Sequence, residues 1–311
     1  MKQTILGSGG AIGIPLAREL KKYTEEIRLV SRNPLKVNVT DELFPLDVNN
    51  KGKLSDAIRG SGIVYVTIGF EYNTRVWQKT WPPFLKSVID ACREHGSKLV
   101  FFDNVYMYAD SAIPHMTEQS AVQPSSRKGV LRKELCEMIT GAVEKNELTA
   151  LIARAADFYG PENKNSALAL MVAKNFMNGK KAQVFGDPSR IHTYTYTPDA
   201  AKATALLGNT PDAYNQVWHL PTTNAPVTGY QWIEMIAGEL NVKPRQQKVA
   251  NWMLRLIGLF VAVMREFPEM MYQFEQDYVF DSSKFEKRFG WQATSPQEGI
   301  RTMIQSMKNG K

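Results

Sequence analysis

Three glycines near the start of the chain are spaced for phosphate chemistry. Gly7, Gly10 and Gly13 recur at every third residue in Thr4-Ile-Leu-Gly-Ser-Gly-Gly-Ala-Ile-Gly13. The apolar residues before them suit a strand, and those after them suit a helix. A turn at this place needs a residue free to take positive φ. A backbone without Cβ atoms lets a pyrophosphate come close, and the free N–H groups of Ala11, Ile12 and Gly13 at the helix start favour an anion. About 20 residues further on, an acid would hold a ribose 2′-hydroxyl, whereas a base would accommodate a 2′-phosphate. That stretch reads Ser31-Arg32-Asn33-Pro34, with no carboxylate. The planar fork of Arg32 suits the phosphate and also stacks on adenine. These residues predict a bound dinucleotide, NADP, with NAD as the alternative cofactor.

The elements that must carry this loop alternate in type. Short apolar runs at 4–6, 27–31, 43–48, 63–68, 98–102 and 149–154 read as strands. Helical patterns at 12–22, 54–58, 84–95 and 130–144 lie between them. Continuous apolar strands joined by helices predict a parallel sheet buried on both faces. After Gly160-Pro161 turns multiply, strands such as 194–197 alternate in polarity, and 217–220 reads as a return to the main sheet. The expectation is an α/β protein with a Rossmann, doubly wound parallel sheet and a smaller C-terminal substrate-binding domain. Residues 1–160 and 197–222 would form the first unit, and 161–196 and 223–311 the second.

Composition excludes several other classes. The 311 residues are 43% hydrophobic and 22% charged, enough for a full core without metals or disulfides. Cys92 and Cys136 belong to no CxxC or Cys/His cluster, so no metal is expected and both read as free thiols in a reducing cytoplasm. The net charge of +7 is scattered without a basic run, which argues against nucleic acid. The first apolar run is too short for a signal peptide, and the run at 252–264 is broken by Arg255 and too short to span a bilayer. That run reads as an amphipathic helix on a pocket or interface, with no membrane partner. A small-molecule substrate and a monomer or homodimer are expected.

The whole chain resembles the extended short-chain dehydrogenase/reductase superfamily, the NAD-dependent epimerase/dehydratases. The GxxGxxG spacing is the form that superfamily uses. Asp47-Val48 resembles its acidic residue at the adenine, and Thr67-Ile68-Gly69 its small-residue segment along the cofactor. Arg154-Ala-Ala-Asp157-Phe-Tyr159-Gly160-Pro161 is similar to RxxNxYGP, and Tyr196-Thr-Pro-Asp199-Ala-Ala201 to YVxDxA. The segment from Phe280-Asp281 to Gly290-Trp291 resembles the one before the last helix. The resemblance implies a Ser or Thr at the end of the fifth strand and YxxxK on the next helix. The strand instead ends Asp103-Asn104-Val105-Tyr106-Met107-Tyr108, with Asn104 in the Ser slot. Aligning Lys133 with the superfamily's Lys, which also binds the nicotinamide ribose, puts Gly129 in the Tyr slot. The usual acid/base is then absent.

Other groups stand in reach of that role. Tyr106 lies two residues beyond Asn104 on an extended segment, so both point to one face. Its phenol would fill the space left by Gly129, with Lys133 lowering its pKa. Alternatively Lys133 acts alone, or Tyr106 is simply packed. A tyrosine introduced at position 129 should cost nothing in backbone φ, since the site lies at a helix start, but its ring should clash if Tyr106 or a substrate group fills that space. Asp157 occupies a slot that faces substrate in the superfamily. His192, next to Arg190, stands near an Arg that meets a sugar-nucleotide phosphate there. Tyr72, Trp77 and Trp81 would wall the pocket. The expected function is an NADP-dependent oxidoreductase or epimerase/dehydratase. The alternative is a non-catalytic NADP-binding redox sensor.

Overall fold

A computed structural model describes residues 1–48, 50–163, 166–249 and 265–309. The expected amphipathic helix at 252–264 lies outside the described residues. Seven strands form one parallel sheet: β1 (Lys2–Leu6), β2 (Ile27–Ser31), β3 (Glu42–Pro45), β4 (Ser61–Val66), β5 (Lys98–Asp103), β6 (Ala150–Arg154) and β10 (Val217–His219). Their order is β10-β6-β5-β4-β1-β2-β3. The expected parallel, doubly wound arrangement is therefore present, with the order reversing between β1 and β4. Helices α1 (Gly13–Leu20) and α6 (Thr197–Gly208) cover one face. Helices α2 (Lys51–Ile58), α3 (Thr74–His95) and α4 (Arg127–Glu144) cover the other.

The strands are apolar on both sides because both sides are covered. Tyr65 and Val100 pack toward α1 and α6 with Leu16, Leu20 and Leu207. Their neighbours Val64, Val66 and Phe101 pack toward α3 and α4 with Trp81, Leu85, Leu131 and Leu135. β3 ends at Pro45, earlier than expected, and is largely exposed at the sheet edge. α3 begins ten residues earlier than the sequence pattern predicts. The Asn73 side chain caps it by accepting from the N–H groups of Arg75 and Val76. The helix continues through Pro82-Pro83 although each proline withholds a backbone donor. The burial of Trp77, Trp81, Phe84 and Leu85 along this stretch offsets that loss.

Two short parallel pairs lie outside the main sheet. β7 (Asp157–Tyr159) pairs with β9 (Tyr194–Tyr196), and β8 (Ala182–Val184) with β11 (Gln246–Lys248). Together with α7 (Gly229–Leu240) and the last helix, α9 (Pro296–Asn309), they enclose a third core around Tyr159, Trp232, Ile236 and Met303. Between them in sequence, α5 (Lys174–Met177) follows a wide-turn helix at Leu168–Ala173, and α8 (Ser283–Phe289) packs under Trp218. Asp157 thus sits where the chain leaves β6 for this smaller lobe, and His192 just before β9.

Candidate active site

The glycine loop joins β1 to α1 at the carboxyl edge of the sheet. Gly7 adopts φ +101°, and a Cβ there would lie 2.6 Å from the Ile68 backbone nitrogen. A Cβ on Gly13 would lie 2.4 Å from the Gly7 carbonyl. The first and third glycines therefore let loop, helix and β4 meet at backbone distance. Gly9 and Gly10 are exposed and line an open groove of about 990 Å³ with Gly7, Arg32, Asp47, Val48, Thr67, Ile68 and Gly69. Arg32 is exposed at this groove. Ala11 and Ile12 contribute no side chain to it. Ile12 is buried against the core, which leaves its backbone as the part that faces an anion. The residues present fit a dinucleotide: a cradle that Cβ atoms would fill, and a guanidinium at the far end.

Past β5 the chain turns sharply, with the Tyr106 N–H donating to Asn104 Oδ1 at 3.0 Å. This turn spends the Asn104 side-chain oxygen, while its NH₂ has no hydrogen-bond partner among the described residues. Tyr106 stacks on Trp77 with ring centroids 6.4 Å apart, and its hydroxyl neighbours that of Tyr72. Burial, then the Tyr72 and Asp157 acids, raises the Tyr106 pKa well above its ordinary value. The expectation that Lys133 lowers it is therefore overturned. Lys133 is half-exposed and 3.8 Å from Glu137, and none of Lys133, Asn104 and Tyr106 lines the groove.

The inward edge of α4 carries Lys128 and Arg132 instead, four residues apart. Lys128 is fully buried. Its ammonium ion-pairs with Glu266 and Glu269, donates to Thr74 Oγ1 at 2.9 Å, and lies 4.7 Å from the centre of the Tyr72 ring. Arg132 donates through Nε to Asp103 at 2.7 Å and lies against the rings of Trp81 and Phe101. Gly129 has no room for a side chain, because a Cβ would stand 2.3 Å from the Tyr106 carbonyl. Of the two outcomes expected for a tyrosine at 129, the clash is the one that applies, because the Tyr106 backbone carbonyl occupies the space. A helix start frees the backbone, but here β5's outgoing turn presses against it. The sequence signal for Lys128 and Arg132 was their spacing, in phase with Leu131 and Leu135.

A second constellation adjoins Tyr106. Asp157 accepts a hydrogen bond from His192 Nε2 at 2.9 Å, so the two expected substrate residues are brought together. His192 is buried, with its ring parallel to those of Phe274 and Tyr278. Tyr72 and Trp77 wall the region, whereas Trp81 packs deeper against Phe84 and Phe101. Sequence reasoning missed Lys128, Glu266, Glu269, Phe274 and Tyr278, which join the site from distant segments without any local motif.

A doubly wound parallel sheet with a glycine loop at the reversal of strand order defines a dinucleotide-binding α/β protein. The chain belongs to the NAD dependent epimerase/dehydratase family, which it matches over residues 4–219. An uncharacterised UDP-glucose epimerase of Bacillus subtilis is 22% identical over 234 residues, 67% of this chain and 73% of that one. A trifunctional dehydratase/epimerase/reductase of Arabidopsis thaliana is 25% identical over 70% of this chain and 31% of its own length. Among solved structures, the UDP-glucuronic acid 4-epimerase of Bacillus cereus, in complex with UDP-glucuronic acid and NAD, superposes with TM-score 0.82. The two are 17% identical, and 100% of each chain is covered. The UDP-glucose 4-epimerase of Thermus thermophilus, in complex with NAD, gives 0.79 at 16% identity, again over 100% of each chain. No helix among the described residues is long and apolar enough to cross a membrane.

Proposed function

We propose that this protein is an NADP-dependent oxidoreductase or epimerase/dehydratase-like enzyme that works without the tyrosine usual on its fourth helix. The groove at Gly7–Gly13 would hold the cofactor, and Arg32 would take the 2′-phosphate. Residues 161–196 and 223–311 would supply the substrate lobe, apart from the segment from Tyr278 to Trp291, whose rings pack on the main sheet. The buried, free thiols of Cys92 and Cys136 fit a reducing cytoplasm.

The observation that carries this reading is the placement of Tyr106. It leaves the carboxyl end of β5, two strands from the glycine loop, beside Tyr72 and the Asp157–His192 pair. When bound, the nicotinamide supplies or accepts a hydride. Tyr106 keeps its proton at neutral pH and is suited to protonate a forming alkoxide or to hold it by a hydrogen bond. The Asn104 NH₂ group adds a second donor. Lys128 and Arg132 act as positioning residues, the first under the Tyr72 ring and the second on Asp103. A screen of aldehydes, quinones and sugar nucleotides for NADPH oxidation tests the proposal. Tyr106→Phe should lower turnover of any substrate found by at least about 100-fold with NADPH affinity retained. Unchanged turnover in Tyr106→Phe would remove that residue as the proton donor.

A further inference from the structure

Resting on the reading of Tyr106 above, we infer that residues 266–274 are a strap that closes Tyr106 off from the cofactor groove. Binding of the dinucleotide releases it.

Tyr106 and the groove are neighbours that do not open into one another. The groove is lined on this side by Phe70, Glu71, Val76 and Thr80, and not by Asn104 or Tyr106. Tyr72 and Trp77 come next in sequence to Glu71 and Val76. Trp77 stacks on Tyr106 at 6.4 Å and meets Tyr72 edge-on at 5.6 Å. A nicotinamide that is to share a substrate with Tyr106 must therefore displace a ring. Trp77 is fixed in the first turn of α3, whereas Tyr72 stands in the loop before it and is the ring able to swing.

The strap is what braces Tyr72. Phe267 packs against that ring at 6.3 Å, and Lys128 lies 4.7 Å from its centre. The Glu266 carboxylate accepts from the Thr74 N–H at 3.0 Å, from the Thr74 hydroxyl and from Lys128, which pins the strap to the first residue of α3. Glu269 also accepts from Lys128, and the exposed Arg127 stands 3.3 Å from it. On the other side Phe267 and Phe274 pack on Phe185 at 5.2 and 5.9 Å, and the Asp187 N–H donates to the Phe274 carbonyl at 2.9 Å. The Phe274 ring also lies on that of His192, 4.9 Å away. These nine residues join α3 and α4 to the smaller lobe and touch Tyr72 at one end and His192 at the other.

A tie of this kind can let go. Two carboxylates share one buried ammonium, and a buried ion pair gains little on balance because desolvation offsets its attraction. Lifting the strap returns all three charges to water. The cofactor reaches the same element, since Val76 and Thr80, in the first two turns of α3, line the groove. A cofactor that binds the open arrangement better shifts the strap toward it. By the same coupling, a loosened strap must bind cofactor more tightly.

The test reads backbone hydrogen exchange in residues 267–274 of the full chain by mass spectrometry, with and without a saturating dinucleotide. Titration calorimetry first selects the tighter of NADPH and NADH. Exchange in this segment should rise by about fivefold or more on binding, while β4 and β5 stay protected. Glu266→Gln removes one acid of the clasp, and Phe267→Leu removes the ring beside Tyr72. Each should raise exchange there without cofactor and tighten dinucleotide binding by about threefold or more, because less work is needed to open the strap. Two variants are used in case one fails to fold. A dinucleotide that binds the unaltered chain without raising this exchange overturns the strap and leaves the cofactor assignment standing. So does exchange that rises in the variants with no gain in affinity, or that rises equally across the sheet. Binding of neither dinucleotide removes the cofactor assignment and the strap together.

Discussion

Arg32 stands exposed at the groove and no carboxylate neighbours it in sequence, so it is the residue on which cofactor choice turns. NADPH should bind at least about tenfold more tightly than NADH, and Arg32→Ala should bring the two within about threefold by titration calorimetry. Equal affinities in the unaltered protein would remove the assignment. Gly129 makes an opposite kind of demand. It must lack a side chain because the Tyr106 carbonyl occupies the space. Gly129→Ala should destabilise the fold by about 1–3 kcal/mol in urea denaturation, even though alanine favours helix. A neutral or stabilising result would show that the turn yields easily.

At the scale of elements, α4 is fastened by charge over its first two turns, through Lys128 and Arg132. Ser126 caps its start by accepting from the Gly129 N–H at 3.0 Å. Lys128 ties that start to Thr74 at the head of α3 and to Glu266 and Glu269. Lys128→Met removes the buried ammonium from Glu266 and leaves Glu269 with only the exposed Arg127 at 3.3 Å, and should cost about 3–5 kcal/mol in chemical denaturation. Adding Glu266→Gln should recover part of the loss, and no recovery would mean that Lys128 acts by packing alone. The sheet strands and the glycine loop were legible in the sequence because apolar runs and glycine spacing are local signals. Helix α4 was legible as an element, but its rotation was misjudged. Lys128 and Arg132 look like solvent residues until partners more than a hundred residues away, such as Glu266, and Asp103 on β5 are in place. For the same reason Asp157 and His192 were each visible as candidates, while their pairing and the rings of Phe274 and Tyr278 were not.

On the scale of the whole molecule, one hydrogen-bonded chain crosses from sheet to C-terminal segment. Arg154 donates to the Tyr108 hydroxyl at 2.8 Å, and Tyr108 donates to His219 Nε2 at 2.6 Å. The Nδ1–H of His219 then meets the Asp281 carbonyl at 2.8 Å. Burial, aided by Arg154, lowers the His219 pKa to about 3. The unfolded chain takes up this proton near pH 6.5 and the folded chain only near 3, so the unfolded state binds more protons between them. Stability should therefore fall as pH drops from about 6.5, by an amount on the order of a few kcal/mol. His219→Asn should flatten the slope between about pH 6.5 and 4.5, above the range in which Asp281 and Glu42 add theirs. An unchanged slope in thermal unfolding across buffers would show that the acid sensitivity arises elsewhere.

The return of β10 to the sheet also has a consequence in time. All five residues of β6 end up buried, yet its outer neighbour arrives only with Val217–His219. At ribosomal speeds of about 5–20 residues per second, the stretch from Arg154 to His219 takes roughly 3–13 s to make. Throughout that interval the newborn sheet has an open, apolar rim at β6 able to pair with another chain. The hazard falls during synthesis and disappears in the finished fold, so a chaperone that shields nascent strands would matter most as the smaller lobe is being translated.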